Sequence, residues 1–207
     1  IIPNIFIHKI NKTVIITGIC RNVSKYIFNS FHKFLYLTKY FKKSKIIIYE
    51  NDSNDNTLDL LYDYKNKYTH IEIIILSEIN IHGSITQRIS HGRNKILNYI
   101  KFHQFEPDYL INIDMDDILL DFKCDSILYP FNEKIEWSMF GGNSNIYYDM
   151  WALRTLNEPN KDFWEDKKKN NKYTVPINKI LESYFMVDQE SPPIPVHSCF
   201  NGIGIYK

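Results

Sequence analysis

An apolar strand pattern runs directly into a group of carboxylates at residues 109–117, which read YLINIDMDD. Asp114, Asp116 and Asp117 would stand together at the mouth of a buried strand, where their repulsion requires a compensating positive charge. One interpretation is a metal site, since oxygen ligands without paired His or Cys favour Mg²⁺ or Mn²⁺ over zinc. The other interpretation is an acidic turn that caps the next segment.

Strand and helix patterns alternate on the N-terminal side of this run. Short β-branched stretches at 14–19, 46–49 and 71–76 are each followed by a helical pattern. The first helix is predicted to begin at Ser24, which can cap it, and the third to cover 85–103. Such alternation predicts an α/β fold with a mainly parallel sheet that helices cover on both faces.

The pattern changes in the last third of the chain. A buried strand is predicted at 137–140, and it ends at Gly141–Gly142, where a ligand or another backbone could come close. The polar stretch 157–172 is typical of a solvated loop or, alternatively, of a mobile lid. A last helix is predicted at 176–186, and strand-like residues occupy 196–206.

Composition limits the possible functions. The 207 residues, 44% hydrophobic and 15% aromatic, suffice for a single domain over 1–207. Because 25 Lys and Arg nearly balance 24 Asp and Glu, no overall field favours nucleic acid, and any phosphate binding must be local. No nucleic-acid partner is therefore expected.

Location is predicted from cysteines and apolar runs. Cys20, Cys124 and Cys199 fit neither a disulfide framework nor a zinc site, so a reducing, cytoplasmic compartment is expected. No apolar run approaches the roughly 20 residues that span a bilayer. The first methionine is Met115, so the chain is expected to be a fragment of a longer protein.

A nucleotide is the ligand that suits the predicted sheet edge. The carboxyl ends of parallel strands lie together, so four segments should face one crevice: 20–22, 50–55, 82–83 and 114–117. Asp52 can accept hydrogen bonds from a base or a ribose hydroxyl. Arg88 and Arg93 can neutralise a diphosphate, and Asn94 can bond its oxygens. The alternatives are a turn cap for Asp52 and a solvated helix face for the two arginines.

Six segments follow one another along the chain: Arg21 with Asn22, YENDSNDNT (49–57), GRNKIL (92–97), IDMDD (113–117), YYDMWALR (147–154) and SCFNGI (198–203). In this order they resemble a GT-A glycosyltransferase, and in particular the capsule-associated α-mannosyltransferase-like family of fungi. The resemblance covers residues 14–206. It implies a single GT-A-like, Rossmann-type domain with a mixed, mainly parallel sheet, a nucleotide-diphosphate-sugar donor, Mn²⁺ or Mg²⁺, and a glycan or glycoconjugate acceptor.

The same resemblance implies roles in donor binding. Asp52, with Glu50 close by, would hold the nucleotide. Arg93 would contact the donor phosphate, and Arg21 belongs to the same donor-binding set.

Metal binding is also implied, with two departures from the family pattern. Asp114 and Asp116 match the Asp-x-Asp motif as metal and donor ligands. This chain has a fuller acidic run where the family tends to carry an Asn-Asp pair, which strengthens the metal hypothesis. It has Phe200 where the family tends to carry Trp, which leaves the acceptor contacts open.

Proton transfer depends on the stereochemistry of the reaction. If the reaction inverts the anomeric centre, a carboxylate must accept the proton of the acceptor hydroxyl, and the candidates in order are Asp149, Asp188 and Glu190. Asp149 lies among aromatic residues that can stack on a sugar; alternatively it pairs with Arg154. If configuration is retained, as the family implies, Asp149 would orient donor or acceptor instead.

A candidate metal-binding histidine and two other classes of function are further hypotheses. A late His commonly completes the metal shell of GT-A enzymes, which makes His197 a candidate ligand, although a lone His is often structural. A nucleotidyltransferase is a second hypothesis, but its Gly-rich phosphate loop is not supplied by Gly18 alone. A non-catalytic sugar-binding domain of a larger protein is the third.

Overall fold

The computed structural model describes residues 9–116, 122–132, 134–143, 149, 152–156 and 191–207. They belong to two compact units: the N-terminal unit, drawn from 1–136 with 206–207, and the C-terminal unit, drawn from 137–205. The predicted fold class is confirmed: the chain is α/β, with a mixed, mainly parallel six-stranded sheet and helices. A single domain over 1–207 stays a prediction. Within the described part, no helix is long and apolar enough to cross a membrane.

Several predicted features lie outside the described residues. They are Asp117, Asp188, Glu190, four of the eight residues of the segment YYDMWALR (147–154), the polar stretch 157–172 and the helix at 176–186.

The N-terminal unit alternates strands and helices. Its strands are β1 (Ile10–Cys20), β2 (Phe41–Asn51), β3 (Glu72–Glu78) and β4 (Tyr109–Asp114). Its helices are α1 (Ser24–Thr38), α2 (Thr57–Lys67) and α3 (Ile85–Phe102), with a 3-10 helix at Cys124–Leu128 leading into the short α4 (Tyr129–Asn132). The four strands are parallel, in the order β3-β2-β1-β4.

β1 begins four residues before the apolar stretch that predicted it. Asp108 holds this polar start, accepting hydrogen bonds from Lys12 Nζ at 2.9 Å and from Thr13 N at 2.8 Å. β2 is longer than predicted for a different reason, since Phe41 at its start is 1% exposed and packs in the core. Tertiary contacts therefore extend both strands beyond their apolar centres.

Both faces of the parallel strands are buried. Ile46, Ile47 and Ile48 are 0% exposed, so consecutive residues of β2 are covered on opposite sides. On one face Ile15, Ile47 and Tyr49 pack against Ile96 and Ile100 of α3. This two-sided burial explains why the central strands read as continuous apolar runs.

The predicted cap of α1 is wrong. The N-cap residue is Val23, and no side chain of its own caps the helix. The loop after β2 supplies the missing acceptors instead, because Asp55 Oδ2 accepts from Ser24 N at 3.1 Å and Thr57 Oγ1 accepts from Val23 N at 2.8 Å. The start of α1 therefore depends on a neighbouring loop.

The C-terminal unit contributes short strands: β5 (Met139–Gly141), β6 (Arg154–Thr155), β7 (Val196–Ser198) and most of β8 (Ile203–Tyr206). β6 and β7 form an antiparallel ribbon. A ligand or another backbone was predicted to come close at Gly141, and the nearest neighbour among the described residues is a side chain, since a Cβ there would lie 2.4 Å from Cys199 Sγ.

Candidate functional site

The candidate site lies at the carboxyl edge of the parallel strands in the N-terminal unit. The register places Ile19 of β1 beside Asp114 of β4, and Cys20 beside Glu50 of β2. The loops that follow these strands therefore start next to one another, which is where open α/β sheets bind ligands.

Arg21 and Asn22 join the loop after β1 to the loop after β2. Arg21 Nε donates to the backbone oxygen of Asp52 at 3.2 Å. Asn22 has a left-handed backbone, φ 54°, and its side-chain oxygen accepts from Asn54 N at 2.8 Å. These bonds fix the two loops relative to each other and keep the exposed guanidinium of Arg21 beside Asp52.

Glu50 supports the loop from inside. Glu50 is only 2% exposed. One carboxylate oxygen accepts from Ser53 N at 2.8 Å, and the other accepts from Ser77 Oγ at 2.7 Å on β3. Glu50 thus braces the turn that carries Asp52, and its contact with a nucleotide stays a prediction.

Asp52 lies at the rim with an ionised carboxylate. Its oxygens accept from Asn51 Nδ2 at 2.9 Å, from Asn80 N at 2.5 Å and from Ile81 N at 3.0 Å. The hydrogen bond from Asn51 leads the causes that hold the pKa of Asp52 below its usual value; burial opposes it, while the two backbone donors and Arg21 add to it. Asp52 therefore ties the β2 loop to the β3 loop and carries a negative charge at neutral pH.

Asp55 links the starts of two helices. It accepts from Ser24 N of α1 at 3.1 Å and from Thr57 N of α2 at 3.0 Å. Burial acts to raise the pKa of Asp55, but hydrogen bonds from Thr57 and Ser24 outweigh it and lower the pKa to about 2. A turn cap was the alternative role considered for Asp52, and Asp55 of the same loop also has such a role at the starts of α1 and α2.

The start of α3 is capped by its own residues. Ser84 and Gln87 form a capping box, in which each side chain accepts from the other's backbone N–H. Arg88 Nη1 donates to the Gly83 carbonyl at 2.7 Å, which turns this side chain back onto the loop before the helix. Asn94 is exposed farther along α3.

Gly92 lets α3 approach the sheet closely. A Cβ at this position would lie 2.6 Å from Tyr49 Cδ1 and 3.4 Å from Ile19 Cγ2. The next residue along the helix is Arg93, and the strand neighbour of Ile19 is Asp114. The close helix–sheet packing therefore brings a basic residue of α3 to the end of β4.

Arg93 and Asp114 form the most informative contact of the site. Arg93 Nη2 lies 3.9 Å from Asp114 Oδ1, and their side chains are 40% and 24% exposed. At this distance the two side chains form an ion pair, but the separation is too long for a hydrogen bond. The predicted phosphate-binding residue and the predicted metal ligand thus lie together at the solvent-accessible edge.

The acidic run itself is only partly described. Asp114 ends β4, Asp116 is partly exposed two residues later, and Met115 between them is 2% exposed. Among the described residues, no group of three or more His, Cys, Asp or Glu side chains is arranged to hold a metal ion. Metal binding by Asp114, Asp116 and His197 stays a prediction.

Glu78 forms a cluster that the sequence did not reveal. Its carboxylate receives hydrogen bonds from Tyr49 OH at 2.9 Å and from Lys95 Nζ at 2.5 Å, and it lies 2.7 Å from His91 Nε2. Burial acts to raise the pKa of Glu78, but Lys95, His91 and Tyr49 outweigh it and lower the pKa to about 2. The available signal was the four-residue spacing of His91 and Lys95, which puts both on one face of α3.

The C-terminal unit contains two of the other candidates. Asp149 organises a turn, because its Oδ1 accepts from Ala152 N at 3.3 Å and its N donates to Asn201 Oδ1 at 3.4 Å. Arg154, the alternative partner considered for Asp149, donates to the Leu153 carbonyl at 2.8 Å. His197 lies exposed in β7. Their roles in catalysis and metal binding stay predictions.

Comparison with known proteins gives a likeness of fold. No protein-family model matches the sequence, and no curated protein matches it. Among solved structures, a mannosyltransferase from Pyrobaculum calidifontis in complex with GDP-Man and Mn²⁺ is similar at 13% identity and a TM-score of 0.48, over 65% of this chain and 36% of that one.

Two further structures have lower TM-scores. S. aureus TarS in complex with UDP-GlcNAc matches at 19% identity and 0.41, over 71% of this chain and 41% of that one. Glucosyl-3-phosphoglycerate synthase from Mycobacterium tuberculosis, with Mn²⁺, UDP and phosphoglyceric acid, matches at 10% identity and 0.37, over 63% and 42%. This chain therefore spans less than half the length of each, and at such scores a functional conclusion must rest on the site residues.

Proposed function

We propose that the chain is a metal-dependent glycosyltransferase of the GT-A type, which moves a sugar from a nucleotide-diphosphate sugar to a hydroxyl group of a glycan or glycoconjugate. The observation that carries the proposal is the approach of Arg93 Nη2 to within 3.9 Å of Asp114 Oδ1 at the carboxyl edge of the sheet. An arginine can bind phosphate oxygens directly, and a carboxylate can bind them through a divalent cation. The two side chains together suit a diphosphate.

The exposure of this pair supports the proposal. Both side chains are open to solvent in part, 40% for Arg93 and 24% for Asp114, so a ligand in the crevice can reach them. At 3.9 Å the pair is longer than a hydrogen bond, and the guanidinium has further N–H donors that can bind phosphate oxygens. Without a diphosphate or a cation, a carboxylate and a guanidinium at this exposure contribute little to stability.

Asp114 and Asp116 would hold the cation, with His197 as a further proposed ligand. Carboxylate oxygens suit Mn²⁺ or Mg²⁺, which are commonly bound through one or two carboxylates together with water and substrate phosphates. When bound, the cation stabilises the negative charge that develops on the departing diphosphate. Arg93 would add a second positive charge on the same group.

Asp52 is the proposed contact for the nucleoside. Its lowered pKa keeps it ionised at neutral pH, so it can accept hydrogen bonds from a ribose hydroxyl or a base N–H. A carboxylate has about four acceptor positions, and three donors of the chain already use part of this capacity. Arg21, Arg88 and Asn94 are the remaining proposed donor contacts, and Glu50 would act by holding the loop.

The acceptor side of the proposal rests on the C-terminal part of the chain. Asp149 and Asp188 are the proposed carboxylates near the acceptor hydroxyl, as a base in an inverting reaction or as orienting groups in a retaining one. We also propose that the chain belongs to the capsule-associated α-mannosyltransferase-like family of fungi. A reducing, cytoplasmic compartment is proposed as well, and the three free thiols are the support for it.

A ligand titration tests the proposal. The unfolding temperature of the 207-residue chain is measured with UDP- and GDP-sugars, each with and without Mn²⁺. A ligand at about 100 times its dissociation constant stabilises the folded state by about 2.7 kcal/mol, so a true donor should raise the transition only when the metal is present. Asp116→Ala is the matched control, because it removes one proposed ligand at a partly exposed position.

Each outcome separates the hypotheses. Metal-dependent stabilisation that Asp116→Ala abolishes supports the proposal, and sugar transfer or donor hydrolysis excludes a non-catalytic domain. The absence of any metal-dependent response to every nucleotide sugar would refute it. A response to nucleoside triphosphate with sugar phosphate, and to no nucleotide sugar, would favour a nucleotidyltransferase.

A further inference from the structure

Met115 is a buried methionine between two partly exposed aspartates. It is 2% exposed, whereas Asp114 and Asp116 on either side are open to solvent in part. A large apolar side chain at the rim of a crevice is buried only if the core provides a place for it. Two residues of the N-terminal unit, Gly18 and Phe34, form that place and are called here the methionine socket.

Gly18 makes room for the side chain. A Cβ at Gly18 would lie 2.6 Å from Met115 Sδ, 2.8 Å from Met115 Cγ and 2.9 Å from Phe34 Cζ. Real Cβ atoms do not approach other atoms so closely, so glycine is the residue that fits between the methionine and the phenylalanine. Gly18 pairs with Ile113 in the β1–β4 register, directly before the acidic run.

Ser30 holds the backbone of Met115. It is 6% exposed on α1, and its hydroxyl donates to the Met115 carbonyl at 3.2 Å. Met115 is thus held at its side chain by the socket and at its carbonyl by a helix 85 residues away in sequence. Both contacts are buried, where an intact hydrogen bond and close packing restrict motion most.

We propose that Met115, Gly18 and Ser30 are positioning residues, which set the separation of the Asp114 and Asp116 carboxylates and thereby the affinity of the acidic run for Mn²⁺. The inference rests on the proposed function. A metal site requires its ligands to be held closely by packing and by hydrogen bonds of the surrounding residues. Because Met115 joins the two aspartates covalently, a shift of its backbone moves both carboxylates.

Two core variants with similar chemistry test the proposal. Met115→Ala removes the buried side chain that fills the socket, and Leu61→Ala removes a buried side chain of α2, where Leu61 is 0% exposed. Free Mn²⁺ is measured by electron paramagnetic resonance, without nucleotide and with UDP or GDP, far below the unfolding temperature of each variant. Met115→Ala should weaken Mn²⁺ binding about tenfold or more, while Leu61→Ala should bind Mn²⁺ as the unmodified chain does.

Ser30→Ala provides a milder second variant in case Met115→Ala does not fold. It removes one buried hydrogen bond and leaves the socket filled, so it should lower the unfolding temperature less than Met115→Ala does while still weakening Mn²⁺ binding several-fold. If Ser30→Ala, Met115→Ala and Leu61→Ala all bind Mn²⁺ as tightly as the unmodified chain, the positioning role is overturned. The proposed function is then left intact. An unmodified chain that binds no Mn²⁺ under any of these conditions would overturn both.

Discussion

The acidic residues after β2 and those after β4 lie at the same edge of the sheet but are held differently. Glu50, Asp52 and Asp55 each accept two or three hydrogen bonds from the N-terminal unit, at 2.5–3.1 Å. Asp114, at the end of β4, forms an ion pair with Arg93 at 3.9 Å. Acidity alone therefore does not identify a ligand site, since most carboxylates of the β2 loop hold the loops of the protein together.

The largest expected effect concerns the β4 end. Asp116→Ala should lower metal-dependent sugar transfer, or donor hydrolysis, about 100-fold or more, because the variant loses a charge that the diphosphate requires through the cation. Because Asp116 is partly exposed, the variant should still fold without metal. Rates are measured with the donor found by titration.

If Asp116→Ala transfers sugar at an unchanged rate, the acidic residues after β4 have no metal-binding role that distinguishes them from those after β2. The matched comparison is Asp55→Ala, which should lower stability by opening the starts of α1 and α2.

The second effect concerns the β2 loop. Glu50→Ala should lower the free energy of unfolding by about 1–3 kcal/mol, because Ser53 N and Ser77 Oγ lose their buried acceptor. Urea denaturation measures the change. Glu72→Ala serves as the control, since Glu72 is half exposed and its pair with Lys45 should contribute at most about 1 kcal/mol. Similar losses in both variants would mean that burial of Glu50 has no special role.

Two arginines of α3 give a third comparison. Arg93→Gln should weaken nucleoside-diphosphate binding about tenfold, the loss of one charge-assisted hydrogen bond of roughly 1.5 kcal/mol. Arg88→Gln should have a smaller effect, because Arg88 already donates to the Gly83 carbonyl. Calorimetric titration with UDP and GDP in the presence of Mn²⁺ measures both. A larger loss in Arg88→Gln would shift the diphosphate toward the start of α3.

A further comparison concerns the pH dependence of stability that comes from Glu78. Its pKa falls from the ordinary value of 4.5 to about 2 in the folded protein. The unfolded chain therefore takes up a proton first, so the contribution of Glu78 is fully present above about pH 4.5 and is lost as pH falls through about 2. Glu78→Gln should remove this part of the acid destabilisation, measured as the difference in unfolding free energy between pH 5 and about pH 2.5. An unchanged difference would assign the acid sensitivity to other carboxylates, such as Asp55 and Asp108, whose pKa values also lie near 2.

Local sequence patterns were sufficient for the order of elements in the N-terminal unit. The predicted helix at 85–103 corresponds to α3 at Ile85–Phe102, and the predicted strand end at Asp114 is the end of β4. Periodicity and capping residues lie within a few positions of each other, so adjacent residues carry this information. The boundaries of β1 and β2 needed more, because Asp108 and the buried Phe41 extend them.

The partners of the polar side chains depend on tertiary structure. Glu50 meets Ser77 across 27 residues, Ser24 meets Asp55 across 31, and Ser30 meets the Met115 carbonyl across 85. Strand register and the packing of α1 and α3 on the sheet bring these distant residues together. Neither can be predicted from a local sequence pattern. For that reason the chain shows from its residues alone that acidic side chains gather at one edge of a parallel sheet. Only the packed protein distinguishes the carboxylates that hold its loops from Asp114, which lies beside Arg93.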